Sequence, residues 1–463
     1  MTTTVEDRAV QRFRKTLRGR LLEPDDPRYD EARTIWNGMI NRNPAQIARC
    51  SGAADVMESV NFAREHNLLT AVKGGGHNVA GNAVCDDGLV IDLSPMDSIR
   101  VNPDDRIVRV EPGVVLNQLD HETQAFGLAT PTGNVSTTGV AGLSLGGGWG
   151  WLSRTHGLTV DNLLSVDIVT ADGKLRHAST EENEDLFWGV RGGGGNFGVV
   201  TSFEFQLHEV GPEVLAGPIF HRFEDASEML RFHREFTSNA PDELCCYVAF
   251  LTAPAEPFLP ESVHGSTILA LALCYSGDVD EGQEVVRPLR EAGDPLADLV
   301  EPMPFTTVQQ LFDGDFEPGY RNYWKTQLVD PLPDEAIDIV VERANPLPTP
   351  HTQVLLEHLG GEISRVDPSA TAYRNREAAF SFNVFPRWTD PAEDDEHIAW
   401  AQEFVDAIAP YATDGVGVNF LSQEGQDRVR ASYGDNYNRL ARLKDRYDPE
   451  NLFRMNQNIE PRA

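Results

Sequence analysis

Apolar residues recur at helical spacing in ADVMESVNFAREHN (54–67), which predicts an amphipathic helix. The helix runs into LLTAVKGGGH (68–77), an apolar run ending in three glycines, the pattern of a strand feeding a loop. Short Val-, Ile- and Leu-rich segments follow, separated by turns: GLVIDLS, RIVRVEPGV, NLLSVDIVTADGKLRHAS and GVVTSFEFQLHEV. A helix, LNQLDHETQAFG, lies between the second and third. Residues 5–30 read as a charged helix followed by a Pro/Asp-rich turn, and residues 31–210 as α+β with many short strands. Past Gly211-Pro212 the segments lengthen. AGPIFHRF, CCYVAFLTAP and STILALALCYSG alternate with the helical patterns DASEMLRFHREFTSN and DEGQEVVRPLREAG, which predicts a sheet with helices on one face over about 212–425. A final helical pattern, NYNRLARLKDRY, precedes DPENLFRMNQNI, whose MNQNI end reads as a closing strand.

At 463 residues, two or three domains are expected. No run of about 18 apolar residues occurs, so no membrane span is expected, and the charged N-terminus lacks a secretory pattern, which points to the cytoplasm. The five cysteines are irregularly spaced, without a CxxC pair, and read as buried thiols; no metal site is expected. Charge changes the picture more. Seventy-two acidic residues oppose 39 basic ones, a net charge of −33, and only five of the 39 are lysine. This balance suits a salt-rich, halophilic cytoplasm, where molar salt shortens the screening length to about 3 Å. It disfavours nucleic-acid binding, which needs a positive footprint.

The candidate chemistry lies in three glycine-rich loops. Lys73, Gly74, Gly75, Gly76 and His77 close the first strand; Gly146, Gly147, Gly148 and Gly150 fall within PTGNVSTTGVAGLSLGGGWGWLSRTHGLTVDN (131–162); RGGGGNFGV spans 191–199. Glycine leaves backbone N–H groups open to a close ligand. The first loop alone would also suit a plain tight turn. Three such loops within one region point to a large cofactor. The first loop lacks both the GxGxxG spacing and the opening helix of a Rossmann fingerprint, which disfavours a nicotinamide dehydrogenase.

The strings KGGGHNVAGN, GLVIDLS, VEPGV, STTGVAGLSLGGGWGWLSRTHGLTVDNL, LFWGVRGGGGNFGVVTSFEF and NYNRLARLKDRYDPENLFRMNQNI together resemble the FAD-linked oxidases of the berberine-bridge-enzyme type, within the vanillyl-alcohol-oxidase group. The resemblance covers nearly the whole chain and is densest at 68–206 and 432–459. It implies an α+β protein: a PCMH-type FAD-binding domain of two subdomains (1–210), a substrate domain built on an antiparallel sheet with helices on one face (211–431), and a C-terminal segment returning to the FAD domain (432–463). It implies FAD held by Gly74, Gly75, Gly76, His77, Asn78, Ser136, Thr137, Thr138, Gly139, Gly142, Gly146, Gly147, Gly148, Gly150, Gly198, Val199, Val200, Asn456 and Asn458. In the family the His of the GGGH loop bonds the flavin 8α-methyl, a place His77 occupies. A second, cysteinyl tether is common, but Val135 stands there and has no sulfur, so a single link is expected.

The family takes the substrate proton with a tyrosine of a Y-x-N-Y segment, or with a carboxylate. Here the matching stretch is Gly417-Val-Asn-Phe420, without either phenol. Tyr323, Lys325 and His358 remain as candidate bases, with Asn419 as a positioning group. Lys325 is singled out because a lysine-poor chain keeps one there, between aromatic residues, where burial can shift its pKa. The reading is an oxidase or dehydrogenase that passes a hydride from an alcohol, sugar or similar small molecule to FAD, with O₂ or an electron carrier as acceptor. The alternative is a flavoprotein with a cyclising or binding role. The oligomeric state is left open.

Overall fold

The computed structural model describes residues 5–422 and 424–462. Near the N-terminus, Gln46–Arg49, Leu89–Asp92 and Thr70–Lys73 form a parallel sheet in that order, with Arg20–Leu22 added antiparallel at its edge. The helix Ala53–Glu65 lies on this sheet because its apolar stripe, Val56, Val60 and Ala63, meets Ala48, Leu89 and Ile91 in one core. Its buried Asp55 accepts hydrogen bonds from the backbone N–H groups of Arg18, Gly19 and Ser51, which ties the N-terminal segment down.

A second sheet is antiparallel, in the order Ile99–Asn102, Ile107–Val110, Gly198–Gln206, Leu163–Thr170, Leu175–Ser179. The helix Tyr437–Tyr447, from the far end of the chain, shares a core with it through Leu440, Ala441 and Leu443. Lys444 of that helix is fully buried. Its Nζ donates to Asp448 Oδ2 at 2.6 Å and to the carbonyls of Asn196 and Phe453, so the buried charge is paired and its donors are used.

The third sheet has eight strands and runs antiparallel through Glu213–Arg222, Thr267–Tyr275, Leu244–Thr252, Gln353–His358, Phe380–Phe385 and Lys325–Val329. The helices Ala226–Thr237, Val279–Glu291, Asp334–Arg343 and Asp394–Ile408 share a core with one of its faces. This is the α+β architecture, with helices on one side of an antiparallel sheet, that the sequence predicts. The opposite face of the central strands contributes Ala249, Leu355 and Phe385 to a separate cluster.

The MNQNI segment corrects an expectation: residues 451–460 form no strand. Their place is set by the buried Asn196 side chain, which donates to Gln457 O at 3.1 Å and accepts from Ile459 N at 2.9 Å. All five cysteines are buried and unbridged. Among the described residues no helix is long and apolar enough to cross a membrane.

Candidate active site

The three glycine loops meet on one cleft, which holds about 1890 Å³ of space, part of it open to solvent. The strand Thr70–Lys73 aims the first loop into it, and Lys73 pins the turn by donating to the carbonyls of Ala32 (2.8 Å) and Thr34 (3.0 Å). The first and second loops touch. A Cβ on Gly75 would lie 2.5 Å from Gly139 Cα, so neither position has room for a side chain. Gly76 turns the chain at φ +71°, a conformation that favours glycine, and so delivers His77 to the cleft wall.

The His77 ring stacks on Trp36, with centroids 4.2 Å apart and planes at 20°. Its Nε2 is buried without a hydrogen-bond partner. Burial lowers the imidazole pKa to about 4, so the ring is neutral at neutral pH and keeps a lone pair.

The sheet side of the cleft is different in kind. Glu357, on Gln353–His358, is buried and faces the cleft. Its Oε2 accepts hydrogen bonds from Trp149 Nε1 at 3.0 Å and Asn383 Nδ2 at 2.9 Å. Burial pushes its pKa up to about 7, and these two donors pull it partly back. Nearby, Asn134 Nδ2 donates to Tyr247 Oη at 3.2 Å, and burial holds that phenol well above its ordinary pKa. Phe385, Trp324 and Phe420 complete an aromatic wall.

Comparison with known proteins fits this arrangement. Residues 44–179 match the FAD binding domain family, and residues 418–460 match the berberine and berberine-like family. The (R)-6-hydroxynicotine oxidase of Paenarthrobacter nicotinovorans is 32% identical over 457 residues, 96% of this chain and 97% of that protein. The crystal structure of 6-hydroxy-D-nicotine oxidase from Arthrobacter nicotinovorans has a TM-score of 0.87 at 30% identity and covers 96% of this chain and 98% of that one. This chain belongs to the berberine-bridge-enzyme-like family of FAD-linked oxidoreductases. The xylooligosaccharide oxidase of Thermothelomyces thermophilus is a further relative, 28% identical over 92% of this chain and 89% of that protein. The relatives carry the redox reading and lend nothing to a cyclising or binding role.

The cleft of this FAD-linked oxidoreductase suits its cofactor. Besides His77 Nε2, buried polar atoms without partners include Tyr433 Oη and Asn456 Oδ1, and all three residues line the cleft. Among the sequence-derived cofactor positions, Gly74, Gly75, Gly76, His77, Asn78, Thr138, Gly139, Gly142, Gly148, Gly198, Val199, Val200 and Asn456 line it. Ser136, Thr137, Gly146, Gly147, Gly150 and Asn458 lie outside the lining. Ser136 instead binds Asp313 through its backbone N–H and its hydroxyl, at 2.8 and 2.6 Å. Gly146, Gly147 and Gly150 make room for protein: a Cβ there would strike Asn419, the Tyr373 ring and Thr132 O, respectively.

The proton-accepting candidates also change. Asn419 lines the cleft and donates to Leu143 O at 2.9 Å. Tyr323, Lys325 and His358 do not line it. Tyr323 Oη accepts from Gln402 Nε2 at 3.0 Å, and Lys325 Nζ pairs with Glu424 at 3.1 Å. His358 packs against His233 and Phe380 on the helix-covered face. Strand alternation explains this: Val354, Leu356 and His358 point one way, Leu355 and Glu357 the other. Sequence reasoning missed Glu357, Tyr247 and Tyr433. A lone Glu inside the apolar run QVLLEH was a usable signal for the first.

Proposed function

We propose that this enzyme oxidises a small organic alcohol, sugar or amine at FAD tethered to His77, and that Glu357 takes the substrate proton. The observation that carries the proton role is the buried Glu357 carboxylate. One oxygen is occupied by Trp149 and Asn383, the group faces the cleft, and its pKa lies near neutrality. A general base works best when its pKa is close to the operating pH.

Gly74, Gly75, His77, Thr138, Gly139, Gly198, Tyr433 and Asn456 are the residues that would hold FAD, which supplies a two-electron acceptor when bound. The backbone of the touching first and second loops gives the cofactor close main-chain contact. Neutral, buried His77 has a free ring nitrogen suited to a covalent link, and Val135 in the cleft wall offers no thiol for a second. Asn419 holds the second loop through Leu143 O, and the aromatic wall gives the substrate an apolar surface to lie on. Glu357, once ionised, accepts the proton from the substrate hydroxyl or amine.

The reading extends to O₂ as acceptor and to a division into a cofactor domain (1–210 with 432–463) and a substrate domain (211–431). Separate sheets support that division, as do one core drawn wholly from residues 215–408 and another drawn from the N-terminal residues with Leu452 and Phe453. The net charge of −33 supports a salt-rich working environment, and retention of fold and activity in dilute buffer would count against it. The central test is anaerobic mixing of the purified yellow protein with a panel of alcohols, sugars and amines. Bleaching of the flavin by at least one class, with peroxide released on admitting air, is expected. A flavin that no class reduces would overturn the reading, and turnover with a dye but no peroxide would replace O₂ by an electron carrier.

A further inference from the structure

Behind the Glu357 carboxylate, the large sheet carries a line of buried polar side chains that its register assembles. Thr326 stands directly opposite Asn383, and Ser381 directly opposite Glu357, on three neighbouring strands. Strand alternation puts all four on the cleft side, because Val329, Leu356, Phe380, Phe382 and Val384 take the helix-covered side. Thr326, Ser381 and Asn383 are buried, and none of them lines the cleft itself. Polar groups at the centre of a sheet are tolerated where their donors and acceptors match.

Here the match turns on one proton. Asn383 Nδ2 donates to Glu357 Oε2 at 2.9 Å and to Ser381 O at 3.2 Å, which fixes the amide with Oδ1 turned from the carboxylate. Thr326 Oγ1 donates to that Oδ1 at 2.8 Å. Ser381 Oγ lies 3.3 Å from the same Oδ1 and is also a donor to Glu357. A serine hydroxyl has a single proton to give. With Thr326 satisfying Asn383 Oδ1, the serine proton is available to Glu357, and a bond to an ionised carboxylate is about twice as strong as one between neutral groups. Without the Thr326 hydroxyl, Asn383 Oδ1 would compete for it. Cys245, Tyr247 and Tyr373 face Glu357, and His77 and Tyr433 share the cleft. Burial holds each of these uncharged near pH 7, so no neighbouring charge decides how readily Glu357 ionises.

We infer that Thr326 and Ser381 are positioning residues for the proton step: the Thr326 hydroxyl occupies Asn383 Oδ1, which releases the Ser381 hydroxyl to hold the ionised Glu357 carboxylate. The inference deepens the reading of Glu357 as proton acceptor and rests on that reading for its functional meaning. Both residues act through Glu357, and Thr326 acts at one further remove, through Asn383.

The test needs no substrate. The resting FAD-loaded enzyme is titrated by infrared spectroscopy in heavy water from about pH 5 to 9, and the Glu357→Gln spectrum is subtracted. The difference isolates the Glu357 carboxyl band, because Asp120, which titrates in the same range, cancels. Thr326→Val is expected to raise the midpoint by about one pH unit, and Thr326→Ser, which restores a hydroxyl, to leave it within about 0.3. Ser381→Ala should raise it by a similar amount. The double variant should raise it no further than Ser381→Ala alone, since valine acts only by redirecting a hydroxyl that is then absent. Should Thr326→Val not fold, Thr326→Ala removes the same hydroxyl with less bulk and carries the same expectation. A midpoint that loss of the Thr326 hydroxyl leaves in place, or one that the two substitutions raise additively, would overturn the inference. Midpoints that move as expected, in an enzyme whose anaerobic bleaching by the alcohol, sugar and amine panel does not follow the Glu357 titration, would uphold the inferred bonding and overturn the proton-acceptor reading instead.

Discussion

Trp149 Nε1 donates a hydrogen bond to Glu357 Oε2 at 3.0 Å, across 208 residues of sequence. The bond joins the second glycine loop to a central strand of the large sheet, and with Asn134–Tyr247 and Ser136–Asp313 it ties the cofactor side of the cleft to the substrate side. It also lowers the pKa of a carboxyl that burial raises.

Loss of that carboxylate should therefore cost activity with a distinctive pH signature. Wild-type kcat/KM is expected to rise with pH to a plateau, with a limb near pH 7 that reports Glu357 ionising. Glu357→Gln should lower kcat/KM by about 10²–10⁴-fold and remove the limb. Trp149→Phe, which deletes a donor to the ionised form, should move the limb to higher pH. Steady-state pH profiles check all three.

The same shift has a stability consequence. Glu357 and Asp120 are both buried carboxyls whose pKa is pushed up to about 7, above their values of 4.5 and 3.8 in the unfolded chain. The neutral form is favoured by folding, so each contribution is fully present below the unfolded pKa and is lost as pH rises through about 7. Asp120→Asn should remove about 1–3 kcal/mol of the fall in stability between pH 5 and pH 8. Denaturant melts at the two pH values measure it.

Gly75 and Gly139 occupy space that a methyl group would claim. Gly75→Ala is expected to destabilise by about 1–3 kcal/mol and to reduce the fraction of protein purified with flavin, because the two loops must separate. Calorimetry and the ratio of visible to ultraviolet absorbance read the two effects.

Acid precipitation should leave the flavin in the wild-type pellet and release it from His77→Ala. In that untethered background Tyr433→Phe is expected to raise the FAD Kd by about 3- to 10-fold, since it removes a buried hydroxyl that has no protein partner. The melting temperature of the cofactor-free protein should not fall, because no internal hydrogen bond is lost.

Lys325 pairs with Glu424 and does not line the cleft, so a structural role is expected of it. Lys325→Met should cost about 1 kcal/mol of stability, because Glu424 loses its nearer cation but keeps Arg428 at 3.7 Å, and should leave kcat nearly unchanged. A combined melt and kinetic measurement separates the two.

The sequence by itself determined the parts that depend on local chemistry. Glycine runs after apolar strands announced the loops, the ordered motifs announced the family, and the lengthening apolar segments past Gly211 announced an antiparallel sheet with helices on one face. Tertiary structure alone decided which side chains share the cleft. His358 and Glu357 are neighbours in sequence, yet a strand sends adjacent residues to opposite faces, and only the packing of four helices on one of those faces says which of the two is covered. The family motifs already placed Asn456 at the cofactor, but Tyr433 comes to the loops from the far end of the chain, where buried Asn196 and Lys444 contacts fix the C-terminal segment, and no local pattern encodes that. Gly146, Gly147 and Gly150 show the converse: glycine marks close approach, and whether the neighbour is a ligand or another part of the protein is settled by the fold.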